Sequence, residues 1–483
     1  MNLPNLSKTK TKQSILDLEK RTSSFMEVSL GYNETEAINE AKRCLNCKNK
    51  PCVNGCPLNN NIPEFIQKVA VSDFESAYTL IKEKSNFPAI CSRICAQERQ
   101  CESKCTRGLN GEPVAIGLLE RFVTNYHKSN AKDIPTKICE TNKHKVAIIG
   151  SGPSGLACAD DLSSLGYDIT IFESLSVSGG IMSYSIPDFR LPKSIVEHEI
   201  ESIKNKGVKI KNNLTAGKDF SMQDLFDDGF EAIYISTGAD YPNKMNIAGE
   251  DVFGVFSARE LLMDCKLNNN IFSKMNITDK TVAVIGGGNV AMDAARTLVR
   301  LGAKKVYIIY RRSFEEMPAR ENELKQAQEE GVEFMILTNP TEIIGSSNTN
   351  LLQSFENENI NNNSQNINCV TAIKCVKMKL GEPDEKGRRK PITIEGSDFF
   401  VPVQMVVMAI GSTIDKNTKS FAENIIFNKY NTIEVDEFNK TNLDSVYAGG
   451  DVVTGSNTVV SAIKSGKNAA KSIHNYLSSI KHN

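Results

Sequence analysis

The cysteines are the residues richest in chemistry. Eight of the 13 lie between Cys44 and Cys105 in a chain of 483 residues, in two groups of four. The first group is Cys44-x2-Cys47-x4-Cys52-x3-Cys56-Pro57, and the second is Cys91-x3-Cys95-x5-Cys101-x3-Cys105. A reducing compartment disfavours a disulfide framework, which leaves metal ligation as the better use of so dense a set. Thiolates bind iron, tight spacing lets one loop supply several corners of a cubane, and a last Cys before Pro often serves a different cluster from its neighbours. The gap of four residues between Cys47 and Cys52 departs from the bacterial ferredoxin run, where it is two. A four-thiolate zinc site built from Cys44, Cys47 and a later pair is the competing use. Eight thiols beside the domain that follows favour electron transfer, and so iron–sulfur over zinc.

That domain is announced by VAIIGSGPSGLACADDLSSLGYDITIFE, residues 146–173. An apolar run over 146–149 reads as a buried parallel strand. It enters Gly150-Ser151-Gly152-Pro153-Ser154-Gly155, then an amphipathic helix, then a second strand over 169–172 closed by Glu173. Gly150 permits a tight turn, Gly152 lets backbone approach a pyrophosphate, and Gly155 lets helix and strand pack closely. The pyrophosphate belongs on the helix N-terminus, and Glu173 accepts from ribose hydroxyls. The motif recurs. Residues 282–285 are a strand, Gly286-Gly287-Gly288-Asn289-Val290-Ala291 is the turn, 293–301 a helix, and 306–310 a strand that ends in Arg311-Arg312. An acid at the strand end suits a ribose 2′-hydroxyl; two arginines suit a 2′-phosphate, favouring NADP over NAD, with a merely solvated strand end as the alternative.

Around these units the chain reads as about three domains' worth of residues. Its net charge of −1 gives no electrostatic case for nucleic acid or an anionic membrane, and no stretch approaches the 18 apolar residues of a membrane span. The start lacks a signal-peptide core, so a cytoplasmic location is expected, with residues 1–12 disordered. Helical pattern covers 15–43, 62–84 and 113–127, making residues 1–140 a helical domain with a partly inorganic core. A FAD-binding domain is expected over 141–275, an NADPH-binding domain over 276–405, and a return to the FAD-binding domain over 406–483. The fold class is therefore α/β, two nested Rossmann-like domains after an α-helical iron–sulfur domain. Residues 345–368 are Asn-rich and read as a surface loop. The run 370–380 alternates like a strand, 381–389 reads as a hairpin turn, and 403–410 as a buried strand. Gly449-Gly450-Asp451 ends a strand before a helix over 458–477, which would set a carboxylate beside a flavin's ribityl chain. Nicotinamide delivers two electrons at once and iron–sulfur clusters carry one each; a flavin accepts two and releases them singly, so it belongs between them. No CxxC pair lies near either nucleotide unit, which weighs against a dithiol reductase.

In order along nearly the whole chain, CLNCKNKPCVNGCPLNNNIPEFI, CSRICAQERQCESKC, GSGPSGL, GGIMSYSIPDFRLPK, GGGNVAMD, YRRSFEEMPA, GEPDEKGRRKPI, AIGSTID and AGGD resemble the small (beta) subunit of NADPH-dependent glutamate synthase. The same module resembles the large subunit of the bifurcating NADH-dependent ferredoxin:NADP oxidoreductase and the N-terminal half of dihydropyrimidine dehydrogenase. The Asn-rich insertion is the main departure. The resemblance implies two [4Fe-4S] clusters, one on Cys44, Cys47, Cys52 and Cys105. The other falls to Cys56, Cys95 and Cys101 with a fourth, non-cysteine ligand: glutamine in the dehydrogenase, Glu120 at the matching position here. Cys91 is left over as an unligated thiol. For FAD the resemblance implies Gly150, Gly152, Pro153, Ser154, Gly155, Glu173, Gly180, Arg190, Gly238, Gly450, Asp451 and Thr458. For NADPH it implies Gly286, Gly288, Asn289, Val290, Arg311 and Arg312. No side chain need act as a general base, since hydride passes between bound cofactors.

Neither a glutaminase nor an FMN barrel fits in these residues, and Met1-Asn2-Leu3 offers no cysteine nucleophile. The expected function is NADPH oxidation, with electrons passed to a glutamate synthase large subunit in a hetero-oligomer. A different flavoprotein or ferredoxin acceptor, as in the bifurcating enzyme, and a standalone NADPH oxidoreductase are the alternatives.

Overall fold

The computed structural model describes residues 4–130, 142, 144–267, 272, 275–346, 368–384 and 387–480. The N-terminal part is built on the helices Glu34–Ala41, Ile62–Ala70, Phe74–Lys82, Pro88–Ile94 and Ile116–Asn130. Phe65, Ile66, Val69, Leu119 and Val123 form its core, and Cys44, Cys52, Cys56 and Cys105 pack against that core from one side. The buried Arg43 ties the cysteine loops together. Its guanidinium donates to Glu40 Oε1 at 2.6 Å, Glu112 O at 2.7 Å and Ser7 O at 3.1 Å. Glu40 in turn accepts from the backbone N–H of Thr11 and Ala115.

Three expectations for this part are corrected. Residues 15–43 are not one helix. Ser14–Ile15 pairs with Ser29–Gly31 as a small antiparallel sheet, and the helices Leu18–Ser23 and Glu34–Ala41 flank the second strand. Asn33 and Glu36 form a reciprocal cap that starts the second helix afresh. The helix expected over 62–84 breaks at Ser72, whose φ of 63° is left-handed. Residues 4–12 are ordered, because Arg43 needs their carbonyls as acceptors and Glu112 N donates to Lys8 O at 2.8 Å.

Two five-stranded parallel sheets follow. The first runs in the order Val446–Ala448, Ala232–Ile235, Lys145–Ile149, Asp168–Phe172, Lys209–Lys211. The second runs Glu333–Met335, Lys305–Ile309, Thr281–Ile285, Met405–Met408, Val255–Ser257. Because Val446–Ala448 returns to the first sheet, the second is inserted within it. The second sheet starts with Val255–Ser257, ahead of the boundary expected at 276, and keeps Met405–Met408 across the one expected at 405. Val255–Ser257 is a short, half-buried edge strand without the apolar run that marks a central one.

An antiparallel layer joins Thr338–Ser346, Cys369–Pro383, Arg389–Thr393 and Phe399–Pro402. Gly345 and Ser346, expected to open the Asn-rich loop, instead pair with Val370 and Cys369 as strand residues. Residues 347–367 of that loop lie outside the described residues, as does Cys139. Among the described residues no helix is long and apolar enough to cross a membrane.

Candidate functional site

The strand Lys145–Ile149 delivers the chain into the first glycine turn, and the helix Pro153–Ser163 leaves it. Gly150 has φ +98°, and a Cβ there would stand 2.6 Å from Ser236 O. A Cβ on Gly155 would stand 2.1 Å from Gly150 O, so the helix crosses the turn only because that residue has none. Gly155 therefore works behind the turn. In front of it lies a cleft with about 1370 Å³ of empty space, its open mouth included. Gly150, Gly152, Pro153 and Ser154 line one wall, and Glu173 closes the strand Asp168–Phe172 beside it. Gly180 and Gly238 come from two further loops, and Gly450, Asp451 and Thr458 from the returning C-terminal segment.

The polar groups of this cleft fit a dinucleotide. Thr237 Oγ1 is buried without a hydrogen-bond partner among the described residues. Asp451 has one backbone donor, Asn457 N at 3.3 Å, and burial pushes its carboxyl up to about 6. Thr458 caps the helix Val459–Ser479, and Thr458, Val459 and Ala462 at its start line the cleft. Glu173 is held in place from behind: Oε2 accepts from Ser151 N at 2.9 Å and Ser151 Oγ at 2.5 Å, and Oε1 from Leu175 N at 2.9 Å. Arg190 is not in the cleft wall. It is buried and donates to Asp293 Oδ2 at 2.6 Å, between the two nucleotide units. Sequence reasoning missed Tyr184, Asp240 and Arg259, which line the cleft as one group. Tyr184 Oη and Arg259 Nε both donate to Asp240 Oδ2, at 2.6 and 2.9 Å. They are far apart in sequence and follow no period, so no local signal marks them.

In the second unit Gly286, with φ +141°, turns the strand Thr281–Ile285 toward Gly288, and the helix Asn289–Arg300 starts there. Asn289 Oδ1 accepts from Arg320 N at 2.9 Å, which fixes the turn to the loop 317–320, and Val290 is 46% exposed on the first helical turn. The two arginines part company. Arg311 is exposed and open to an anion. Arg312 is buried, donates from Nε to Arg389 O at 2.8 Å and lies 3.6 Å from Asp384, so it braces the strand ends that pair at Pro383 and Arg389.

The eight N-terminal cysteines face two cavities. Cys44, Cys47, Cys52 and Cys105 line one, with Leu45, Ile62, Ile66 and Arg107 around them. Cys56, Cys95, Cys101 and Glu120 line the other, and Cys91 is there too. Burial pushes the Cys52 thiol up to about 12 and Cys56 to about 11; Cys95 is raised by the neighbouring Cys91 thiol and by burial. Such thiols ionise only beside a compensating cation, which is what iron supplies. Glu120 is buried, its carboxyl pushed up to about 8 by burial, and makes no hydrogen bond among the described residues. Among the described residues no three His, Cys, Asp or Glu side chains gather as a single-ion site. The thiols ring a space instead, as ligands of a multi-atom cluster do, so the donor set fits iron–sulfur ligation.

The second cavity abuts the cleft at the first glycine turn. Val460 lines the cavity while its neighbours Val459 and Thr458 line the cleft.

Known proteins share this layout. Residues 21–132 match the model described as dihydropyrimidine dehydrogenase domain II, 4Fe-4S cluster, and residues 144–466 match pyridine nucleotide-disulphide oxidoreductase. The glutamate synthase [NADPH] small chain of Escherichia coli is 33% identical over 95% of this chain and 95% of its own. The NADP(+)-dependent formate dehydrogenase subunit beta of Moorella thermoacetica is 38% identical over 88% of this chain, which spans only 60% of that subunit. Among solved structures, Mycobacterium tuberculosis FprA in complex with NADPH shares the fold at a TM-score of 0.57, with 18% identity, over 69% of this chain and 84% of that one.

Proposed function

Because this chain belongs to the glutamate synthase small-chain family of NADPH-dependent FAD and 4Fe-4S oxidoreductases, we propose that it is the electron-entry subunit of a larger assembly. When bound, FAD would supply acceptance of a hydride from NADPH and release of single electrons, and the clusters would supply one-electron transfer. The chain's own residues arrange the order. Gly150, Gly152 and the Val459–Ser479 helix hold the flavin, Asp451 and Glu173 accept from its hydroxyls, and Arg311 selects the 2′-phosphate of NADPH. Cys56, Cys95, Cys101 and Glu120 hold the cluster beside the flavin, and Cys44, Cys47, Cys52 and Cys105 the outer one. The observation that carries this reading is the adjacency of Val459, on the flavin cleft, and Val460, on the second thiol cavity.

The partner is the large subunit of a glutamate synthase, where the electrons serve glutamate formation from glutamine and 2-oxoglutarate. The holoprotein is expected to contain iron and acid-labile sulfide, to reduce one-electron dyes with NADPH, and to form glutamate only once that large subunit is added. Zinc without sulfide would end the proposal. Dye reduction with no glutamate under any pairing would favour a second reading, to which the higher identity of the formate dehydrogenase subunit points: the same module feeding or draining a different oxidoreductase.

A further inference from the structure

The charged side chains that line the cleft at the first glycine turn are four acids, Glu173, Asp240, Asp415 and Asp451, and one cation, Arg259, among the described residues. Three of the acids have backbone donors of their own. Ser151 N and Leu175 N serve Glu173, Asn417 N serves Asp415 at 2.7 Å, and Asn457 N serves Asp451. Asp240 is held by side chains instead, its Oδ2 accepting from Tyr184 Oη and Arg259 Nε. The guanidinium also lies 5.6 Å from the centre of the Tyr184 ring. Burial, and then the Asp240 charge, holds the Tyr184 phenol above the ordinary tyrosine range, so it stays a donor.

The strand order places this group. Glu173 ends the strand on one side of the glycine turn, and the strands that end before Asp240 and Asp451 lie on the other. A dinucleotide laid across the turn with its adenosine ribose at Glu173 has its flavin half on the Asp240 side. Ala239 O accepts from Ser412 Oγ, which lies 3.0 Å from Ser456 Oγ, so Asp240 is tied to the segment that carries Thr458. Arg259 comes from the first turn of the helix Ala258–Leu267, which follows the edge strand of the inserted unit.

We propose that Arg259, held at the cleft by Asp240 and Tyr184, is the cation that raises the reduction potential of the bound flavin, with Asp240 as its counterweight. The proposal rests on the flavin reading above. A hydride leaves one net negative charge on a flavin, and a charge beside the ring is a protein's lever on its potential. Removing the cation exposes the flavin to Asp240; removing the carboxylate frees the cation, so the two changes act with opposite sign.

The test is the flavin midpoint potential of the FAD and iron–sulfur-loaded protein, titrated with dithionite against reference dyes. Arg259→Gln should make reduction about tenfold less favourable, about 30 mV for a two-electron couple. Asp240→Asn should shift the potential the other way, Arg259→Lys should stay near wild type, and Tyr184→Phe, which keeps both charges, should shift it least. Should Arg259→Gln yield no folded protein, the upward shift of Asp240→Asn carries the test. Shifts of one sign in both variants, or none in either, would overturn the proposal alone. So would loss of FAD from Arg259→Gln with an unchanged potential in the molecules that keep it, since that marks a pyrophosphate ligand. A wild-type protein that takes up no FAD would overturn the flavin reading and this proposal with it.

Discussion

Arg190 donates to Asp293 at 2.6 Å, and this buried bond ties the loop after Gly180 to the helix that opens the second nucleotide unit. Arg190 Nε also lies 3.2 Å from Glu323. Burial works against the guanidinium charge, yet Asp293 and Glu323 outweigh it and hold its pKa above the ordinary arginine range. Arg190→Ala would strand the buried Asp293, while Glu323 keeps Arg296, and a loss of about 3–5 kcal/mol is expected in denaturant unfolding. Arg190→Met/Asp293→Leu should recover much of it, because replacing both partners removes the stranding and leaves Glu323 on Arg296.

Arg311 and Arg312 are neighbours with different work. Arg311→Ala removes only an exposed cation, so the KM for NADPH should rise about tenfold, with that for NADH unchanged and thermal stability intact. Arg312→Ala also removes the donor to Arg389 O, so it should lower the melting temperature as well. Equal effects on NADPH and NADH in Arg311→Ala would refute the 2′-phosphate assignment.

What was legible beforehand follows from range. The glycine turns at Gly150 and Gly286 are local, since a positive φ and one close contact determine them, and both stand at the end of a parallel strand. The division of the cysteines could be reached by resemblance, and the two cavities group the same residues. The group of Tyr184, Asp240 and Arg259 was not legible, nor was the hub of Glu40 and Arg43. The first depends on side chains from distant segments meeting, and the second on the backbone of Ser7, Thr11, Glu112 and Ala115 reaching a local pair, which no periodicity records. The ordered start over residues 4–12 is the same case, since its polar composition says nothing of the guanidinium waiting for its carbonyls. Arg190 reads as a ligand contact by analogy, but two acids from the inserted unit claim it.

Asp451 makes stability depend on pH in the FAD-free protein. Burial raises its folded pKa to about 6, above the ordinary aspartate value of 3.8. Between those values the folded state binds the extra proton, so stability falls as pH rises through that window. The cost is complete above about pH 6 and amounts to about 2–3 kcal/mol. FAD-free Asp451→Asn should therefore melt higher than wild type at pH 8 and match it near pH 4. A constant difference at both pH values would rule out the carboxylate as the cause.

Cys91 and Glu120 face the same cavity, and iron analysis separates them. Cys95→Ser should cost about half the iron and sulfide, because it removes a thiolate from one of two clusters. Cys91→Ser should leave both contents and the electron paramagnetic resonance spectrum unchanged if Glu120 completes that cluster. Glu120→Ala should then lose iron, or shift the spectrum of one cluster only. If Cys91→Ser empties the second cavity while Glu120→Ala leaves it filled, the thiol is the ligand. The carboxyl of Glu120 would then be a buried acid beside a four-thiolate cluster, kept neutral by the burial that already raises it.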